Sequence, residues 1–122
     1  MLIERNFTKD RKDSYEGINF VERVSKISNS DGSVVSEIKG VIVPDFWSQV
    51  AVDIMAQKYF RKAWVPARVK TRSEEGVPDW LCPSIPDSDA LAILPESERY
   101  SGETDSRQVF NRLAGCWTYW GW

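Results

Sequence analysis

The chain has 122 residues, 42% hydrophobic and 28% charged, with a formal net charge of −2 and a pI near 5.2. That length supplies one core and no more, the apolar content argues against disorder, and the slight acidity argues against non-specific binding to nucleic acid through a basic surface. No apolar run approaches the roughly 18–20 residues of a membrane span and the N-terminus has no signal-peptide core, so a soluble cytoplasmic protein is expected.

Residues 1–19 are mixed and charged, and read as an extended arm or short strand with Ile3 and Phe7 as isolated anchors. From Phe20 to Val43 the pattern predicts a β-hairpin. Phe20–Ile27 is rich in β-branched residues, Asn29-Ser30-Asp31-Gly32 supplies turn residues suited to positive φ, and Ser33–Ile38 returns, extended by Val41–Val43.

The segment Val43–Trp64 carries the longest helical pattern and is free of Gly and internal Pro. Phe46, Val50 and Ile54 step by four, joined by Trp47, Ala51 and Met55, with Gln49, Asp53, Gln57 and Arg61 mostly opposite. Asp45 is placed to act as the N-cap. Lys58, Arg61 and Lys62 gather where the helix dipole favours positive charge, and Val65-Pro66 ends the helix.

Pro66, Pro78, Pro83, Pro86 and Pro95 make the next stretch proline-dense, which favours extended segments and turns. Within it, Ser88–Leu94 reads as two turns of helix, with Trp80, Leu81 and Ile85 as anchors. A last helix is predicted from Thr104, as its cap, to about Trp117. Phe110, Leu113, Ala114 and Trp117 follow the i, i+3, i+4, i+7 rule and Val109 widens the stripe. The expected fold is α+β but mostly helical, in a single domain 1–122. An N-terminal β-hairpin precedes two main amphipathic helices, joined by a Pro-rich excursion and burying facing stripes.

The chemistry on offer is sparse. Histidine is absent, which removes the commonest general base and the Ser–His and Cys–His nucleophile pairs. Cys82 and Cys116 do not supply a zinc ligand set and read as reduced structural thiols. Asp45, Asp53, Glu74, Glu75, Asp79, Asp87, Asp89, Glu96, Glu98, Glu103 and Asp105 read as solvated surface rather than an acid/base pair. For Lys58, Arg61 and Lys62, helix-end electrostatics and stem packing outweigh a contact to nucleotide phosphate. Trp117, Tyr119, Trp120 and Trp122 crowd the last six positions, and large bare aromatic surfaces invite association. The expectation is of a truncated chain whose continuation covers those rings.

Several segments in order carry a resemblance: Val43-Pro44, Trp47-Ser48-Gln49, Lys58-Tyr59-Phe60-Arg61-Lys62-Ala63, Gly102-Glu103-Thr104-Asp105, Arg107-Gln108-Val109-Phe110 and Trp117-Thr118-Tyr119-Trp120-Gly121-Trp122. Over nearly its whole length the chain resembles the N-terminal region of adenosylcobalamin-dependent (class II) ribonucleotide reductases. One departure is Trp64, where a small residue, usually glycine, is expected.

The resemblance implies a parent enzyme that makes deoxyribonucleotides for DNA synthesis from ribonucleotides, usually diphosphates. Adenosylcobalamin would be its radical source, deoxynucleotide effectors its regulators and a thioredoxin-like dithiol protein its reductant. The radical cysteines would lie in a barrel beyond the matched part, leaving no catalytic residue or metal ligand here, cofactor-binding residues undetermined, and the piece inactive alone. The alternative is a free-standing interaction domain or split subunit that docks on a separate catalytic chain.

Overall fold

The structure, a computed structural model, describes residues 4–122. Ile3, expected as an anchor, lies outside the described residues, and Phe7 is exposed rather than anchoring. The arm instead docks through Tyr15. Its hydroxyl donates to Asn111 Oδ1 at 2.7 Å, and its ring meets Phe20 edge-on at 5.8 Å.

Strands β1 (Phe20–Ser28) and β2 (Val34–Pro44) form an antiparallel hairpin that pairs from Phe20 opposite Pro44 to Ser28 opposite Val34, with register shifts at Arg23/Ser25 and Ile27/Ser28. Its turn is held by the Asn29 N–H on Ser33 O at 2.8 Å, with Gly32 at φ +86°. The Asp31 carboxylate accepts from both the Ser33 hydroxyl and N–H, and those bonds hold its pKa below the ordinary value. A register shift between Arg23 and Ser25 bends the ladder as a bulge does, and this is where the hairpin grips the next element. The Arg23 guanidinium donates to Trp47 O and to Gln49 Oε1, while Gln49 Nε2 donates to Val24 O.

Helix α1 (Gln49–Ile54) runs directly into a π-helical turn, Met55–Tyr59. The helix expected across Val43–Trp64 is therefore much shorter. Val43 and Pro44 belong to β2, and the cap is Ser48, whose Oγ accepts from the Ala51 N–H. Asp45 is not the cap: it accepts instead from Asn19 Nδ2 at 3.2 Å. From Phe60 the chain is extended. Strand comes to about 26% and helix to about 32% of the chain, so the mostly helical fold expected from sequence is overturned in favour of a balanced α+β domain. Strand pairing runs on through Val43 and Pro44 and the chain turns extended at Phe60, so residues at both ends of the apolar segment are withdrawn from the helix.

The buried face also differs from the expected stripe. Val52, Met55 and Ala56 face the core with Val41, Val43, Phe60 and Val109, and Ile38, Trp47 and Leu113 pack against that cluster. Phe46, Val50 and Ile54, the expected stripe, are exposed. The fully buried Val52 and Ala56 share the core cluster with the hairpin residues Val41 and Val43.

The proline-dense stretch forms short paired strands. β3 (Val65–Pro66) pairs with β6 (Tyr100–Ser101), and β4 (Val69–Thr71) pairs with β5 (Ser84–Pro86). Between them, α2 (Ser88–Ala92) is capped by Asp87, shorter than the two turns expected. Leu81 and Leu91 are the buried anchors there, whereas Trp80 is exposed.

Helix α3 spans Ser106–Gly121, and its N-cap is Asp105 rather than Thr104. Asp105 and Gln108 form a reciprocal capping box. Arg107 pairs with Asp105 and lies 4.2 Å over the Phe20 ring. Val109 is the buried apolar residue of α3, while Ala114 and Trp117 of its expected stripe are exposed. Among the described residues no helix is long and apolar enough to cross a membrane.

Candidate functional site

The tightest polar construction joins the end of the π-helical turn to the start of α3. Gly102 passes so close to the backbone before β3 that a Cβ there would sit 2.9 Å from Lys62 O and 3.1 Å from Arg61 O. That approach lets the Glu103 N–H donate to Arg61 O at 2.8 Å. In return the Arg61 N–H donates to Glu103 Oε2, also at 2.8 Å. Arg112 closes the clamp, its Nε donating to Glu103 Oε1 at 2.8 Å and its Nη2 to Oε2 at 3.2 Å. The same Nη2 reaches Tyr59 O, one of the carbonyls a helix end leaves without an internal donor.

Glu103 is buried, at 7% exposure. Burial raises its pKa, but the Arg112 bonds, the Arg61 N–H and the two guanidinium charges outweigh that and hold it below the ordinary carboxylate value. Next along the chain, Thr104 O accepts from the Ile42 N–H at 2.8 Å. Each residue of Gly102-Glu103-Thr104-Asp105 thus has a distinct task. They supply close approach, a carboxylate clamp, a link to β2 and a helix cap, in that order.

Beside this clamp a groove of about 430 Å³ opens between α1 and α3, lined by Trp47, Ala51, Ile54, Met55, Tyr59, Val109, Phe110 and Leu113. Trp47 meets Phe110 edge-on at 6.0 Å across it, a favoured aromatic geometry. Apart from the Tyr59 hydroxyl and the Trp47 indole its lining side chains offer carbon surface and the Met55 thioether, so it suits apolar matter and not phosphate.

A second cleft of about 720 Å³ lies on the other side of α3. Both Cys82 and Cys116 line it, together with Arg61, Trp80, Glu103, Arg112, Tyr119 and Trp120. The two thiols are free, and the Cys82 thiol donates to Val77 O at 3.6 Å. Sequence placed these cysteines in unrelated segments, and only the folding of the proline-dense stretch against α3 brings them to one cleft.

The other sequence-selected residues are mostly structural or solvated. Lys62 Nζ donates to Ala56 O at the helix end, while Lys58 and Arg61 are exposed. Gln49 Nε2 donates to Asp53. Glu75, Asp79, Asp89, Glu96 and Glu98 are exposed. Glu74 accepts from the Tyr119 hydroxyl and from Arg72, and these bonds lower its pKa and raise that of Tyr119. The Trp122 indole donates to Gly76 O at 2.9 Å and its ring meets Trp80 at 6.2 Å. Part of the terminal aromatic cluster is therefore engaged by the chain itself, while Trp117 and Trp120 remain exposed. Among the described residues no three His, Cys, Asp or Glu side chains gather as a metal site. Glu103 is the residue that sequence reasoning undervalued. The adjoining glycine and the arginine nine positions later were the available signals.

Residues 21–122 match the family model described as class II vitamin B12-dependent ribonucleotide reductase. A vitamin B12-dependent ribonucleotide reductase of Bradyrhizobium diazoefficiens is 57% identical over 122 residues, covering 100% of this chain and 10% of that protein. One from Agrobacterium fabrum is 56% identical with the same coverage. One from Streptomyces avermitilis is 44% identical over 64 residues, 52% of this chain and 7% of that protein. The chain thus spans about a tenth of the length of the first two relatives.

Proposed function

The chain belongs to the class II vitamin B12-dependent ribonucleotide reductases, as their N-terminal region, and from that membership we propose that it serves an enzyme reducing ribonucleoside diphosphates to deoxyribonucleotides. The carrying observation is the 57% identity along the whole chain. In support, several of the residues that carry the resemblance perform linked structural tasks, above all Gly102–Asp105. In this reading the chain is a single N-terminal domain of a cytoplasmic enzyme. The partners are the remainder of the reductase, ribonucleotide substrate, deoxynucleotide effectors and a thioredoxin-like reductant.

Adenosylcobalamin would supply the radical chemistry in the parent enzyme, where the protein's part would be to position and shield it. The residues of this segment do not fit a cradle for it. The carbon-lined groove offers little to the amide fringe of a corrin ring and is far too small for one. In the larger cleft the Glu103–Arg112 pair is committed to the clamp. In this reading the segment takes no step of the radical chemistry, and the radical cysteines belong to the remainder of the enzyme. Its own residues hold and orient structure: Glu103 and Arg112 fix the exit of α1, and Asp105 fixes the entry of α3.

The test is an assay of the full-length reductase with adenosylcobalamin and a dithiol reductant, offering cytidine diphosphate and triphosphate in competition. Cobalamin-dependent reduction of the diphosphate is expected, with no turnover by residues 1–122 alone. Preference for the triphosphate overturns the substrate class, and product formed without cobalamin overturns the whole reading.

A further inference from the structure

Helix α1 is apolar on two sides, and the structure satisfies only one of them. Val52, Met55 and Ala56 are buried against the hairpin. The other side carries Ala51 and Ile54, and the π-helical turn brings Tyr59 onto it, because a wider turn carries residues five apart to the same face. Ile54 is 45% exposed, Tyr59 52% and, across the groove on α3, Phe110 38%. These apolar side chains are gathered on one groove and not scattered singly over the surface, and a surface helix with one partner needs only one apolar stripe.

We propose that the groove formed by Trp47, Ala51, Ile54, Tyr59, Phe110 and Leu113 is the seat on which the remainder of the reductase chain docks, by an apolar segment whose side chains enter it. This rests on the reading of the chain as part of a longer reductase, and it adds which face makes the joint and by what chemistry. Two observations select that occupant. The first is length: this segment is 10% of each of two relatives that match it throughout, so in that reading a large covalently linked body accompanies it. The second is size. The groove is lined by eight residues, far short of the about 20–30 residues a side that a stable free complex engages. A tethered segment needs much less, because linkage makes the contact intramolecular at an effective concentration in the millimolar range. The lining carries no charged side chain, so the entering segment is aliphatic or aromatic.

The test uses the full-length enzyme carrying Ile54→Cys or Phe110→Cys, each compared with Val35→Cys on the exposed hairpin. Maleimide labelling is read peptide by peptide, so that native thiols do not interfere. Both groove positions are partly exposed in the segment, so neither change threatens its folding. Labelling at the groove is expected to be at least tenfold slower than at Val35→Cys and independent of protein concentration. A photo-crosslinking amino acid in place of Phe110 is expected to capture a peptide downstream of residue 122 in the same chain. Equal labelling rates overturn the proposal, as does protection that disappears on dilution with crosslinks to a second copy. Reductase activity, measured on the same samples, separates the two readings. A freely labelled groove in a cobalamin-dependent reductase defeats the docking face alone, whereas absent reductase activity defeats the functional reading whatever the labelling.

Discussion

Glu103 and Arg112 lie nine residues apart and meet through two hydrogen bonds of 2.8 and 3.2 Å. Between them they hold the backbone of Arg61 and Tyr59. The pair is a fastening between the end of the first helical element and the start of the second. Its strength comes from burial of the carboxylate together with charge-assisted bonds to every group it faces.

Replacing Glu103 by Gln is expected to destabilise the 122-residue chain by about 2–3 kcal/mol, because Arg112 keeps its charge and loses its partner. The folded-state pKa of Glu103 lies below its ordinary value of 4.5. Its contribution is therefore full above that ordinary value and fades as pH falls through the lowered one. Urea titrations from pH 7 down to pH 3 should show the acid loss of stability shrinking in E103Q. An unchanged acid limb would show that the pair contributes little.

Gly102→Ala tests the close approach. A Cβ at 2.9 Å from a carbonyl oxygen meets backbone and not a flexible side-chain end, so the two segments must separate. That stretches the bonds between Glu103 and Arg61. A loss of about 1–3 kcal/mol is expected, the usual range for overpacking, with Arg61 and Glu103 amides exchanging faster. Wild-type stability in thermal melts would mean that the backbone yields without cost.

Trp64 stands where a small residue, usually glycine, is expected from the sequence, and the backbone there suits glycine. It is the one non-glycine residue at positive φ among the described residues, at +65°, a conformation costing an L-residue roughly 1–2 kcal/mol. Its ring lies 6.1 Å from that of Tyr100 but is 82% exposed, so the contact offsets little of this. Trp64→Gly should stay within about 1 kcal/mol of wild type, since relief of strain is balanced by glycine's greater unfolded-state entropy. Trp64→Val should lose about 1–2 kcal/mol, because a β-branched residue suits that backbone poorly. The comparison of the two melting temperatures is the readout. Valine equal to glycine would show that the turn is not held at positive φ.

The chain's own residues settled the hairpin, whose turn is written in Asn29–Gly32, and the existence of two helical elements, whose apolar periods are local. They also carried the family likeness, because Gly102–Asp105 and Trp47-Ser48-Gln49 lie in short contiguous runs. What the tertiary structure decided is where each period stops and which side is buried. The apolar period of Val43–Trp64 is consistent with one long helix, yet hairpin pairing claims Val43 and Pro44 and the Glu103 clamp ends the element near Phe60. Ile54 and Phe110 belong to good helical stripes and still remain open, since periodicity marks a face as apolar without naming its partner. The same limit hid the meeting of Glu103 with Arg61 and the placing of Cys82 and Cys116 on the walls of one cleft. Local sequence fixes backbone preference over a few residues, whereas burial and charge pairing depend on neighbours brought together only when the whole chain folds.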